Sequence, residues 1–344
     1  MRKFKCIVFK IKSLVLPSLI CMFILFLLVF SKNNLVAAKS GLSLWANSVL
    51  PSLLPFFIAT ELLGYTNVIP MCGKLLNRFM RPIFNVPGEG AFALLMGIIS
   101  GYPVGAKIVA NLKENKLCNK VEAERLIAFT NNSGPLFIVG TVGIGLFYNS
   151  SIGLILFFTH LLSCLTVGFL FRWWGKSKER HFRDATYSIE NNSLAFCNLG
   201  EVLSKSIISS INTILMIGGF VVLFSIIISM LNTSHILHIL SSHVLSVLHI
   251  PEELSLSLLT GFIEVTNGLS FICELSSLSI SFKLVICSFV LGFGGFSVLL
   301  QVLSITSKAN ISIKPYFIGK LLQAFFAAFY TYLIIWTRLY ILKR

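Results

Sequence analysis

Four apolar segments interrupted by Gly, Pro, Ser and Asn constrain this chain more than any other feature. They are 97–107 and 129–136 in the first half and 261–270 and 289–297 in the second, so the pairs recur roughly 160 residues apart. In hydrocarbon an unsatisfied backbone group costs several kcal/mol, so apolar segments broken in this way belong where protein encloses a cavity. Their duplication in corresponding positions points to a transporter with internal repeats.

Composition places the breaks in a bilayer. Hydrophobic residues make up 56% of the 344 against 12% charged, and the mean hydropathy is +0.86, outside the range of soluble domains. Residues 14–30 form an uncharged run behind Arg2, Lys3, Lys5, Lys10 and Lys12, close to the length that crosses about 30 Å of hydrocarbon. Val36-Ala37-Ala38 resembles a signal-peptide cleavage site, but the run is long for a signal peptide and reads as an uncleaved first helix. The eight cysteines stand singly, without CxxC or other zinc spacing, and read as small apolar fillers rather than as disulfides or metal ligands. The net charge of +15 sits in short loops between apolar runs, where it encodes orientation and attraction to anionic lipid headgroups rather than nucleic-acid binding.

The chain reads as an all-α polytopic membrane protein. About seven spanning helices are expected, near 14–30, 41–65, 125–147, 150–174, 199–231, 284–305 and 315–342. Segments 89–112 and 252–273 read as re-entrant helical hairpins, because they carry Gly101-Tyr102-Pro103 and Glu264 with Asn267 at their centres. With the N-terminus inside and both hairpins re-entering, most of the 28 Lys and Arg fall on one side, including Lys74, Arg78, Arg81, the 107–125 cations, and Lys308, Lys314 and Lys320. The halves are then two inverted structural repeats. The expected units are an N-terminal anchor helix and linker over 1–40, a first gate repeat over 41–174, a cytoplasmic linker over 175–198 and a second gate repeat over 199–344.

Flanking elements repeat as well. Val68, Cys72, Leu75, Leu76 and Phe79 share a helical face opposite Lys74, Arg78 and Arg81, the pattern of a helix lying in the interface. Ile236, Leu240, Val244, Val247 and Leu248 oppose His235, His238, Ser242 and His249 in the same way, and these histidines read as a solvated face with no carboxylate in register. Residues 45–55 and 211–219 are expected to open the two halves with corresponding breaks.

Candidate ligand contacts follow from the broken segments. At Asn131-Asn132-Ser133-Gly134-Pro135 the helix ends and the next half-helix aims its positive end at a cavity, which suits an anionic or polar small molecule. The amides either contact that substrate or satisfy the broken ladder. Gly294, Gly295 and Ser297 allow backbone to approach a ligand, or simply a facing helix. Tyr102 offers a hydroxyl at the first hairpin turn. Lys107 either meets a carboxylate in the pocket or snorkels to the surface. In the second hairpin Asn267 adds an amide, and the intramembrane Glu264 either binds a coupling proton or sodium ion or pairs with Lys107. Glu61 is a weaker acidic candidate. No P-loop, HExxH or GxSxG occurs, so the chain reads as a non-enzyme with no cofactor, compatible with a homo-oligomer.

The strings VLPSLLPFF (49–57), SGYPVGAK (100–107), FTNNSGPLF (129–137), INTILMIGGF (211–220), TGFIEVTNG (260–268) and GFGGFSVLLQ (292–301) resemble the sporulation integral membrane protein family of endospore-forming bacteria, the YlbJ/SpoVV type. That family carries the nucleoside-recognition gate domain shared with concentrative nucleoside transporters. The resemblance implies passage of dipicolinic acid, an aromatic dicarboxylate, across the outer forespore membrane. It leaves a nucleoside transporter, or a nontransporting scaffold in spore-envelope assembly, as alternatives. A planar dianion suits Asn131, Asn132, Ser133 and Lys107, with backbone at Gly294 and Gly295.

Overall fold

The computed structural model describes residues 2–175, 198–248 and 250–342. The expected linker lies outside the described residues except at its two ends, as do His249, Lys343 and Arg344. Every regular element among the described residues is helical.

In the first half these are α1 (Arg2–Val29), α2 (Ser31–Leu44), a π-helical turn (Trp45–Val49), α3 (Leu50–Gly64), α4 (Val68–Phe84), α5 (Gly90–Ser100), α6 (Val104–Glu114), α7 (Lys120–Thr130), a π-helix (Leu136–Leu146) and α8 (Ser150–Phe171). The second half contains α9 (Leu199–Thr233), α10 (Ile236–Leu248), α11 (Glu252–Ile263), α12 (Val265–Glu274), α13 (Ile280–Phe293), α14 (Gly295–Lys308) and α15 (Lys314–Leu342).

Length separates spans from half-spans. Four runs are long and apolar enough to cross a bilayer: Ser150–Phe171, Leu199–Thr233, Ile280–Lys308 and Lys314–Thr337. Two bent pairs raise the number to six if each is one span: α1 with α2, turned by 98°, and α3 with α4, turned by 83°. Helices α5 and α6 have 11 residues each, and α11 and α12 have 12 and 10. At 1.5 Å per residue each reaches roughly half of a 30 Å hydrocarbon layer. These are the two short paired helices that the hairpin pattern predicts.

Several expectations are corrected. Residues 31–40, expected as linker, continue as helix beyond the bend at Phe30. The break expected at 131–135 within the 125–147 run is present, since α7 stops at Thr130 and the chain is extended at Asn131 (φ −96°, ψ 100°) before the π-helix begins. No break occurs at 211–219, where α9 runs on unbroken. Trp45 of the π-helical turn donates its indole N–H to the Ile214 carbonyl at 3.0 Å, so the two stretches expected to be parallel breaks instead pack against each other. On α10 the side chains of 244–248, Val244, Val247 and Leu248 of the expected stripe among them, lie outside the described ones; over 236–243 Leu237 and Ser241 are buried, while Ile236, Ile239 and Leu240 are exposed. A carboxylate does stand beside the histidines, with Glu252 Oε1 3.5 Å from His238 Nδ1.

Helices α4 and α10 occupy corresponding places. On α4, Leu75 and Phe79 face outward at 70% and 57% exposure, while Val68, Cys72 and Leu76 pack on the core. The right-angled turn from α3 and this outward apolar face match a helix lying along the interface. Exposed Leu154, Phe158 and Phe325 on α8 and α15 form the kind of surface that contacts lipid rather than water.

The element order recurs: a long helical run, an amphipathic helix, a short hairpin, a broken helix and a long helix. These are α2 to α8 in the first half and α9 to α15 in the second. Two buried clusters hold them, one centred on α5 to α8 and reaching α9, α14 and α15, the other joining the π-helix and α8 to α11, α12 and α13.

Candidate functional site

The first hairpin turns at Gly101, whose φ of +80° belongs to the region glycine alone adopts readily. Behind the turn, Gly97 and Gly105 bring both arms against the Thr130 carbonyl; a Cβ at either position would lie 1.8 Å or 2.2 Å from that oxygen. The end of α7 is thereby clamped between the hairpin arms, and the extended residues that follow cross the hairpin turn at Gly101 and Gly134.

The second half repeats the arrangement with different chemistry. α11 ends at Glu264, extended at φ −145°, ψ 120°, and its carboxylate caps α12 by accepting the Thr266 N–H at 3.1 Å and the Asn267 N–H at 2.8 Å. The facing helix breaks at Gly294 and Gly295, with φ of +81° and +83°. Gly295 packs on the backbone of Gly261, Ile263 and Val265.

Three of the four breaks open onto one cavity of about 380 Å³, and the helix that follows the fourth, α14, lines it as well; this volume is at the small end of the range for ligand sites. Its wall includes Ser100, Gly101 and Tyr102 of the first hairpin, Ser133 and Gly134 of the first broken helix, Glu264 and Thr266 of the second hairpin, and Ser297 and Gln301 of α14. Leu53, Phe56, Ile217 and Val221 from α3 and α9 supply apolar wall. The site is a mostly apolar slot with few polar groups, most of them at or next to a helix break.

Of the residues picked out in the sequence, the structure brings Tyr102, Ser133, Gly134, Glu264 and Ser297 to this cavity. Asn131, Asn132, Lys107, Asn267, Gly294 and Gly295 lie beyond its wall. Asn131 accepts from the Ala106 N–H at 3.4 Å and donates to the Tyr316 hydroxyl at 3.3 Å. Asn132 donates to the Phe129 carbonyl at 2.7 Å and accepts from Gln323 Nε2 at 2.9 Å. These amides therefore satisfy the opened backbone and tie it to α15. Lys107 does not meet Glu264; it forms an ion pair with Glu61 and donates to Ser209 and Thr213 of α9 at 3.0 Å and 2.9 Å. That cluster lines a separate hollow of about 260 Å³ between α3, α6 and α9.

A buried polar group behind the cavity escaped the sequence reading. Lys320 was expected among the loop cations but is 1% exposed, and its Nζ donates to Gln323 Oε1 at 2.8 Å. The ammonium also lies 5.2 Å and 5.8 Å from the ring centres of Tyr102 and Tyr316. Gln323 Nε2 lies 3.3 Å from His160 Nε2, which accepts the Ser133 N–H at 3.3 Å. Arg125, likewise expected in a loop, is fully buried and donates to the carbonyls of Trp174 and Asn85. The signal for Lys320 was in the sequence: Tyr316, Lys320, Gln323 and Thr331 form a polar stripe at helical spacing on an apolar helix, and all four are buried.

A family model described as Gate, nucleoside recognition, matches residues 46–167, the stretch from the π-helical turn through most of α8. The chain is similar to the sporulation integral membrane protein YlbJ of Bacillus subtilis (strain 168), with 40% identity over 346 residues covering 96% of this chain and 84% of that protein. No solved structure matches.

Proposed function

Since this chain belongs to the YlbJ family of sporulation integral membrane proteins, we propose that it is a secondary transporter of a small aromatic dicarboxylate, dipicolinic acid, acting without covalent chemistry in the outer forespore membrane. The observation that carries this reading is the convergence of three helix breaks, with α14 beyond the fourth, on one cavity of about 380 Å³. Broken helices in a bilayer place backbone groups where a ligand can use them. The recurring order of elements supports alternating access, in which one repeat rocks against the other, inverted, repeat about the cavity.

In this mechanism the aromatic ring lies against the apolar wall. Tyr102, Ser133 and Ser297 offer hydroxyls to the carboxylates. Glu264 faces the same cavity, and a carboxylate beside an anionic substrate is favourable only when a proton or a sodium ion neutralises it. Glu264 is therefore assigned to coupling as well as to capping α12.

Uptake of labelled dipicolinate into proteoliposomes holding the full chain tests the reading. Wild type is expected to accumulate it; Ser133→Ala and Glu264→Gln are expected to reduce uptake roughly tenfold or more while the protein inserts normally. Normal uptake in both variants sinks the site, and absence of uptake in wild type sinks the function. The nucleoside-recognition match favours a second reading, a nucleoside substrate. Competition by uridine but not by dipicolinate in the same vesicles would select it.

A further inference from the structure

We infer that the buried polar cluster around Lys320 is a second, deeper anion subsite that receives one carboxylate of the substrate when Tyr102 moves aside. The inference rests on the transport reading above and assigns the charge recognition within it.

The cluster has donors in excess of acceptors. An ammonium carries three N–H donors, and Lys320 has one acceptor among the described residues, Gln323 Oε1. No carboxylate among the described residues lies within ion-pair range of it. The remaining donors face the rings of Tyr102 and Tyr316. His160 adds another: its Nε2 accepts the Ser133 N–H, so a neutral imidazole carries its proton on Nδ1, and Nδ1 is buried without a partner. Ser133, 2% exposed and on the cavity wall, also makes no full hydrogen bond through its hydroxyl.

A buried cation left without a counter-charge is costly, and unpaired buried donors in a native protein call for an explanation. A missing acceptor carrying negative charge answers both points, and a carboxylate does so with two oxygens. The cluster lies directly behind the cavity wall. Tyr102 borders both, and its hydroxyl is held by one long hydrogen bond, 3.4 Å to the Leu291 carbonyl. Ser133 likewise lines the cavity and gives its backbone N–H to His160 of the cluster. A planar dicarboxylate can therefore lie with its ring and one carboxylate in the cavity, while the other carboxylate displaces Tyr102 and meets Lys320. A molecule with one carboxylate gains less.

The test measures binding of dipicolinate and of picolinate, its singly carboxylated analogue, to the full chain in lipid nanodiscs. Wild type is expected to prefer dipicolinate by roughly tenfold or more. Lys320→Gln keeps a donor toward Gln323 but removes the charge; it is expected, with the loss falling mainly on dipicolinate, to reduce that preference to about twofold or less. Lys320→Arg is expected to retain most of it. Equal binding of the two probes by wild type overturns the subsite, and this outcome needs no variant to fold. An undiminished preference in folded Lys320→Gln overturns it as well. Wild type that binds neither probe overturns the transport reading itself, and the subsite falls with it.

Discussion

Tyr102 rests on Gly294: a Cβ built on that glycine would lie 2.8 Å from the tyrosine hydroxyl oxygen. One residue belongs to the turn of the first hairpin and the other to the break in the second half. The two halves are thus in contact through their irregular segments, and a side chain added at position 294 pushes directly on the cavity wall.

Gly294→Ala is therefore expected to displace Tyr102 and to strain a backbone held at φ +81°, costing about 1 kcal/mol or more. Dipicolinate uptake should fall roughly tenfold or more. Gly219→Ala on α9, where an added methyl meets nothing within 4 Å, should leave uptake intact. Equal effects of the two substitutions in the proteoliposome assay would refute the contact.

The clamp on Thr130 is the least forgiving packing in the first half. Gly97→Ala sets a methyl 1.8 Å from a backbone oxygen, which no rotamer change relieves. A loss of about 3 kcal/mol or more is expected, visible as a lowered midpoint of thermal unfolding in detergent or as failure to accumulate.

Gln323 holds two partners that have few others. Gln323→Leu removes the acceptor for Lys320 and the donor to Asn132, with an expected cost of about 3 kcal/mol. Combined with Asn132→Leu the loss should fall short of the sum of the single losses by about 1 kcal/mol, because the second substitution removes a partner already orphaned. Strict additivity in a thermal double-mutant cycle would argue against a shared network.

Lys107 and Glu61 join α6 to α3 at sites that are 23% and 19% exposed. Reversing either charge alone should destabilise by about 2 kcal/mol, and the double reversal should recover part of that loss. Lys107 also gives hydrogen bonds to Ser209 and Thr213. A glutamate there accepts from the same hydroxyls, so the rotated pair keeps partners on α9. No recovery in the double variant would remove the ion pair from the account.

Cys118, in the loop between α6 and α7, has its thiol pushed up to about 12 by burial, with Glu122 adding in the same direction. Burial disfavours the thiolate, so the reactive fraction stays small through neutral pH and grows only as pH approaches 12. Maleimide labelling at Cys118, followed by peptide mass spectrometry, should stay slow at pH 8. Rapid labelling there would show the loop open to solvent.

Much of the architecture was legible because it is written in local signals. Apolar runs identify helices, and Gly101, Pro135 and Gly294 mark where they break, since a break depends on the backbone conformation of the residues at hand. The amphipathic α4 was legible for the same reason. Lys320 and Arg125 read locally as loop cations, and here local reading fails: one is a charge on an apolar helix and the other sits in a charged first half of α7, and only neighbours distant in sequence reveal that each is buried. The amides of Asn131 and Asn132 show the same limit. Their position at a break was legible, but whether they turn to the cavity or to the protein was not.

The sequence alone determined that this is a helical membrane protein with four interrupted segments in two matching sets, because hydropathy, helix length and chain-breaking residues act over a few turns. Only the tertiary structure decided which polar groups line the cavity and which bond one another. In a low-dielectric interior each polar group takes the partner geometry offers. That partner is often far along the chain, as where Gln323 meets Asn132 across 191 residues or Lys107 meets Thr213 across 106.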